Sequence, residues 1–217
     1  MTLIAQLMSS HAAEVAECEH RAAAAQGTAV YLDPARVAES PFTAFAVDYN
    51  SREFLRLKSS IAQVGGNVSP IKVRLVHDGR FEIVLGYARH RACLELELPV
   101  AAVVEDMSDL QLVQQFVAHQ SFKKWSPWRI GSAVARGIDR GLFPSLRRAA
   151  ESLSLTVTEC NLLLKLDRLP EPVKGRLSKV AVTPAAARRL VKQWEINPSG
   201  AGEIPNALRV LYAPPTA

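Results

Sequence analysis

Gly86 closes an apolar run and is followed within about one helical turn by Arg89, His90 and Arg91, in the stretch "IVLGYARHRACLELELPV" of residues 83–100. A glycine where a strand hands over to a helix lets the backbone approach an anion closely, and the unpaired N–H groups of the helix's first turn then face it. Arginine adds charge-assisted donors of the geometry that phosphate accepts. The chemistry of this stretch is therefore anion binding, unless Arg89 and Arg91 are instead solvated or paired with Glu95 and Glu97.

A second stretch, "LRRAAESLSLTVTECNLLLKL" at residues 146–166, has the spacing of a helix-turn-helix. Ala150 is the small residue where two helices cross, Ser154-Leu155 the turn, and Cys160 the apolar pin. Leu153, Leu163 and Leu164 complete the inner face. Thr156, Thr158, Glu159, Asn161, Leu162 and Lys165 then face outward. Asn161 and Thr158 suit base edges, while Lys165 and Arg168, with Arg147 and Arg148 on the preceding helix, suit phosphates. Ser154 stands where glycine is usual, so a positive φ there costs about 1 kcal/mol. An ordinary helical hairpin inside a bundle has the same apolar spacing.

Both stretches must be held by ordinary elements. In the first half, Ser10 caps an alanine-rich helix that ends before Gly27. "AVYLDP" reads as a strand. "SREFLRLKSSIAQVGG" is an amphipathic helix capped by Ser51 and stopped by Gly65-Gly66, with Phe54, Leu57, Ile61 and Val64 on its inner face. "PIKVRLV" and "FEIVLG" form a hairpin about a turn at 77–80, "ARHRACLELE" is a helix stopped at Leu98-Pro99, and "VAAVVED" is a strand. From Asp109 onward the patterns are helical: residues 109–122, 127–141, 145–154, 156–168, 171–180 and 183–194. The expected fold class is an α+β N-terminal domain followed by an all-α helix-turn-helix domain. Residues 1–27 form a helical extension, 28–108 the α+β domain, 109–195 the helical domain, and 196–217 a weakly ordered tail rich in Pro, Gly and Ala.

Charge separates the two halves. Residues 1–120 hold 10 Lys and Arg against 14 Asp and Glu, whereas residues 121–192 hold 15 against 5, a net +10 within a chain of net +5. A segment so basic is the electrostatic footprint of a partner rich in phosphate. Arg136 and Arg140, together with Lys123-Lys124-Trp125, flank the two-helix stretch; Trp125 and Trp128 read as packing anchors. No apolar run reaches the roughly 20 residues of a membrane span, and the acid-bearing N-terminus does not read as a signal peptide. Three scattered cysteines, Cys18, Cys93 and Cys160, argue against a disulfide framework and a structural zinc site, which points to the cytoplasm.

The run from "SSIAQVGGNVSPIKVRLV" through "VAAVVEDMSD" resembles the N-terminal domain of the ParB family of plasmid and chromosome partition proteins. The helix-turn-helix follows at the family's distance, and "KLDRLPEPV" resembles the family's continuation beyond it. The likeness spans about residues 30–192 and is closer to plasmid-borne partition proteins and their regulator cousins, in a shortened form without the usual C-terminal dimerisation domain. It implies CTP with Mg²⁺ as cofactor. The family's glycine-x-x-glutamine-proline stands here as Gly66-Asn67-Val68-Ser69-Pro70, and its Gly-Glu-Arg-Arg-x-Arg as Gly86-Tyr87-Ala88-Arg89-His90-Arg91. Gly66, Ser69, Pro70, Gly86, Arg89 and Arg91 are thus the implied nucleotide residues. The family's Glu-Asn-x-x-Arg falls on Ala118-His119-Gln120-Ser121-Phe122, which lacks both the acid and the arginine, so no catalytic residue and no metal ligand is assigned. The implied function is binding of a specific double-stranded DNA site in partition or regulation. The implied partners are a ParA-type ATPase and a second copy of the chain, with no membrane, at the nucleoid or a plasmid. The alternative is a CTP-responsive switch or an enzyme on the same domain, which sulfiredoxins share. A sulfiredoxin-like reaction needs a cysteine beside the turn, and Cys93 lies a helical turn or more downstream.

Overall fold

The computed structural model describes residues 28–43, 49–76, 80–122, 127–177 and 183–196. The chain divides into two compact units, residues 1–108 and 109–217. The helix expected from Ser10 onward, the tip of the 77–80 turn, the Lys123-Lys124-Trp125 cluster and the tail from 197 lie outside the described residues.

The first unit is a five-stranded mixed sheet with two helices on one face. Its strands are β1 (Ala29–Leu32), β2 (Val37–Ala38), β3 (Ile71–Leu75), β4 (Phe81–Leu85) and β5 (Val100–Val104), in the order β1-β5-β3-β4-β2. The β3–β4 hairpin is antiparallel, β5 runs parallel to β3, and β1 closes antiparallel on β5 with Ala29 opposite Val103. Two-residue β2 pairs parallel with β4 after a short 3-10 turn at Pro34–Arg36; so short a strand leaves no alternation for the sequence to display.

Helices α1 (Arg52–Val64) and α2 (Tyr87–Glu95) cover the face that carries Leu32, Ile71, Val73, Ile83, Val100 and Ala102. Ser51 accepts from the Phe54 amide at 3.2 Å to start α1, and Gly65 ends it with φ +78°. Phe54 and Ile61 are buried under α1, but Val64 is 62% exposed. It falls in the last turn, where the helix overruns the core. His90 also departs from the basic trio expected at the turn. It is buried, with Nε2 2.8 Å from the Pro34 carbonyl oxygen, because the fourth position after Gly86 faces inward from α2.

On the opposite face, Arg74 and Glu82 lie directly across the β3–β4 ladder, both buried. Arg74 meets Glu82 Oε2 through Nη2 at 2.5 Å and Nε at 2.6 Å, and its Nη1 donates to the Met107 carbonyl at 3.3 Å.

In the second unit the described residues are helical or connecting: α3 (Asp109–Phe122), α4 (Pro127–Asp139), α5 (Leu146–Ser152), α6 (Val157–Asp167), α7 (Glu171–Leu177) and α8 (Pro184–Ile196). No helix among the described residues is long and apolar enough to cross a membrane. Helices α4 and α6 meet backbone to backbone: a Cβ on Gly131 would sit 2.7 Å from the Leu163 carbonyl carbon and nearer still to its oxygen. Ser132 Oγ donates to the Asp167 carboxylate one residue along, which fixes the register of the crossing.

Candidate functional site

At the first stretch the structure brings Gly86, Arg89, Ser69 and Pro70 together. Gly86 has φ +112°, and a Cβ there would lie 2.6 Å from Ile71 Cγ2, so glycine is demanded both by backbone conformation and by the close pass of β3. Gly86 provides no side-chain cap to α2, leaving the first-turn amides without that partner. Arg89 Nη1 donates to the Ser69 and Pro70 carbonyls at 2.6 and 2.7 Å. Half-burial lowers the Arg89 pKa without threatening its charge.

The loop behind Arg89 is organised by a residue that motif matching passes over. Buried Asn67 donates from Nδ2 to the carbonyls of Ser69 at 3.0 Å and Ala101 at 2.9 Å, and its Oδ1 accepts from the Ala101 amide at 2.8 Å. An asparagine at the head of a tight loop is the signal that would have found it. Gly66 belongs to the end of α1, its amide donating to Ile61 O at 3.1 Å. Arg91 turns the other way, Nε 2.7 Å from Glu95 Oε1 and the guanidinium 5.3 Å from the centre of the Tyr49 ring. Glu95 also takes Lys58, and the two cations hold its carboxyl below the usual range, Lys58 contributing first.

The donors at this turn fit a phosphate if Arg89 exchanges its carbonyl partners for one. They do not fit Mg²⁺: where the family has an acid this chain has Tyr87, whose hydroxyl is buried against Thr43 Oγ1 at 2.7 Å, and among the described residues no cluster of three His, Cys, Asp or Glu side chains is placed to hold a metal.

The second stretch forms two short helices, α5 and α6, joined by a turn. Ala150, Leu153, Cys160 and Leu163 are buried. Leu164 is only half-buried and Leu166 is buried instead, because the inner face centres on Leu163, with Cys160 and Leu166 three residues to either side of it. Ser154 has φ +55° in the turn, and the Leu155 amide donates to Ala150 O at 2.9 Å. Because a serine there strains the backbone, Ser154→Gly is expected to raise stability by about 0.5–1 kcal/mol in chemical denaturation.

Thr156 and Glu159 close a capping box at the start of α6. The Thr156 hydroxyl accepts from the Glu159 amide at 3.1 Å, and the Glu159 carboxylate accepts from the Thr156 amide at 2.8 Å. The Thr156 backbone hydrogen bond is the main cause that holds the Glu159 carboxyl below its ordinary range. Thr158, Asn161 and Arg168 are exposed and, with half-buried Lys165, follow one another along one side of α6. Val157, 48% exposed at the same end, is an apolar member of this surface that the inner-face pattern leaves out. Arg147 and Arg148 both meet Glu151, at 3.1 and 3.0 Å, and Lys165 Nζ lies 2.7 Å from Glu195 Oε1 on α8.

Two of the chain's thiols, Cys93 and Cys160, are buried and free. Burial pushes the Cys160 thiol up to about 11, and Glu159 adds to the rise; burial raises Cys93 as well. Neither is expected to be alkylated by iodoacetamide at about pH 8 until the protein unfolds, a result that peptide mapping by mass spectrometry reads residue by residue.

A family model described as the ParB N-terminal domain matches residues 17–118. Comparison with curated proteins finds no match. Among solved structures, the C-terminally truncated chromosome-partitioning protein ParB from Caulobacter crescentus is similar to this chain in two complexes. The complex with CTP-gamma-S has 16% identity and a TM-score of 0.38, covering 84% of this chain and 98% of that one. The complex with the centromeric parS site has 18% identity and a TM-score of 0.41, covering 76% and 90%.

Proposed function

We propose that this chain, whose residues 17–118 match a model of the ParB N-terminal domain, is a DNA-binding protein of plasmid partition or of related transcriptional control, gripping a specific duplex site through a helix-turn-helix formed by α5 and α6. The observation that carries this reading is the side of α6 that bears Thr158, Asn161, Lys165 and Arg168, in a segment whose net charge is +10. Such a stripe, presented by a short helix beyond a tight turn, suits a major groove. Asn161 is the bidentate reader of an adenine edge, Thr158 and Val157 reach neighbouring bases, and Arg147, Arg148, Lys165 and Arg168 take phosphates. Thr156 and Glu159 act by fixing the start of α6. In this reading the protein works at the nucleoid or a plasmid as a homodimer, with a ParA-type ATPase as its partner.

Fluorescence anisotropy with a site selected from genomic fragments tests it. Arg148→Ala and Lys165→Ala are each expected to weaken binding and to lower the slope of log K against log salt by about one. Asn161→Ala is expected to cost about 1–3 kcal/mol on the selected site and little on random duplex. Unchanged affinity and slope in both charge variants would remove α6 from the interface.

A second reading is nucleotide binding at the Gly86 turn, favoured by the uncapped first turn of α2 and the adjacent Arg89. Gly86 and Arg89 would hold phosphate there, with Gly66, Ser69 and Pro70 in the loop opposite and Arg91 at the rim. Calorimetric titration with CTP decides it. Heat that survives EDTA and is lost in Arg89→Gln supports a metal-free phosphate site, and no heat removes the nucleotide.

A further inference from the structure

Three of the cations that the DNA reading assigns to phosphate already hold a carboxylate. Glu151 takes both Arg147 and Arg148, one on each oxygen, and Glu195 takes Lys165. The arrangement spans three helices, α5, α6 and α8. Lys165 on α6 meets Glu195 near the end of α8, so this ion pair ties the side of α6 to α8. Arg188, Lys192 and Glu195 share one side of α8, opposite the buried Ala186 and Leu190. The acids are accessible, with Glu151 and Glu195 side chains 48% and 51% exposed, so a competing anion can displace them.

We infer that Glu151 and Glu195 are built-in competitors of phosphate, occupying Arg147, Arg148 and Lys165 so that sequence-independent binding to duplex DNA is held down. This rests on the DNA-binding reading of α5 and α6. Binding without sequence preference draws nearly all its strength from cations neutralising phosphates and releasing counterions. A fixed carboxylate about 3 Å from such a cation must be displaced before the phosphate gains it, and an exposed pair of this kind is worth up to about fivefold in an equilibrium constant. Base-edge contacts made by Asn161 and Thr158 carry no such toll, so the acids set a threshold that electrostatics alone crosses poorly.

The test uses the full chain and a fluorescein-labelled duplex of random sequence, with anisotropy measured over a range of salt. Glu151→Gln and Glu195→Gln keep the side-chain shape and remove the charge. Each is expected to tighten binding about two- to fivefold and to steepen the salt slope. Glu171→Gln, which removes an exposed acid paired with Lys174 instead, controls for net charge. Equal tightening in Glu171→Gln, or unchanged or weaker binding in both Glu151→Gln and Glu195→Gln, would overturn the inference. Arg147→Ala, Arg148→Ala and Lys165→Ala separate the two levels. If they weaken binding while the Gln variants change nothing, only this inference falls; if they too bind like the parent, the DNA reading of this surface falls with it.

Discussion

Gly131→Val destabilises the helical unit by about 3 kcal/mol or more, and Gly131→Ala by about 1–2 kcal/mol. Helix propensity alone argues the opposite sign, because alanine gains about 1 kcal/mol over glycine inside a helix such as α4. Packing overrules it. The added carbon meets the Leu163 carbonyl of α6, a backbone group that cannot rotate away, and Asp167 Cβ at 3.4 Å lies just beyond. The two helices must part, and Cys160, Leu163 and Leu166 lose the close packing that holds α6. Tryptophan fluorescence reads this unit selectively, since Trp125, Trp128 and Trp194 all fall within residues 109–217. A stabilised Gly131→Ala would show that the helices do not cross at this point. Because α6 also carries the proposed base-reading stripe, duplex binding is expected to fall with stability.

The second large effect lies in the other unit. Glu82→Ala or Arg74→Met alone is expected to cost about 3–5 kcal/mol, because each strands a buried charge whose partner is gone. The double replacement Arg74→Met/Glu82→Leu is expected to recover most of that loss. One oxygen, Glu82 Oε1, is buried without a hydrogen-bond partner, so the pair is not fully compensated for its desolvation. Residues 1–108 contain no tryptophan, so far-UV circular dichroism must follow this unfolding. Equal losses in the single and double variants would mean that the site needs the charges themselves.

These two effects differ in how far the sequence announces them. The strands and helices of the first unit follow from alternation, caps and stops: Ser51, Gly65 and the β3–β4 hairpin all read locally. The Arg74–Glu82 contact does not, because an arginine and a glutamate at alternate positions look like the outward face of any hairpin. Only the burial of both sheet faces makes them interior. The α5–α6 spacing was legible down to Ala150 and Cys160, whereas the neighbourhood of α8 along α6 was not. Glu195 and Lys165 are brought side by side by tertiary packing, and no local pattern encodes that. Gly131 is silent in the sequence for the same reason: a glycine inside a helix reads as a weak spot until its opposite number is known. At the Gly86 turn the residue types were plain, but their use was not. Arg89 spends an arm on the Ser69 and Pro70 carbonyls of the loop opposite, and His90 is structural.

The order β1-β5-β3-β4-β2 sets the first strand against the last, with Ala29 waiting on Val103. During vectorial synthesis β1 leaves the ribosome long before its only described neighbour exists, and local pairing gives it no shelter in the interval. The nascent β3–β4 hairpin likewise lacks the flank that β5 supplies. Closure of this unit therefore waits on β5: β1 and the β3–β4 hairpin gain their missing neighbour only once Val104 has emerged from the exit tunnel.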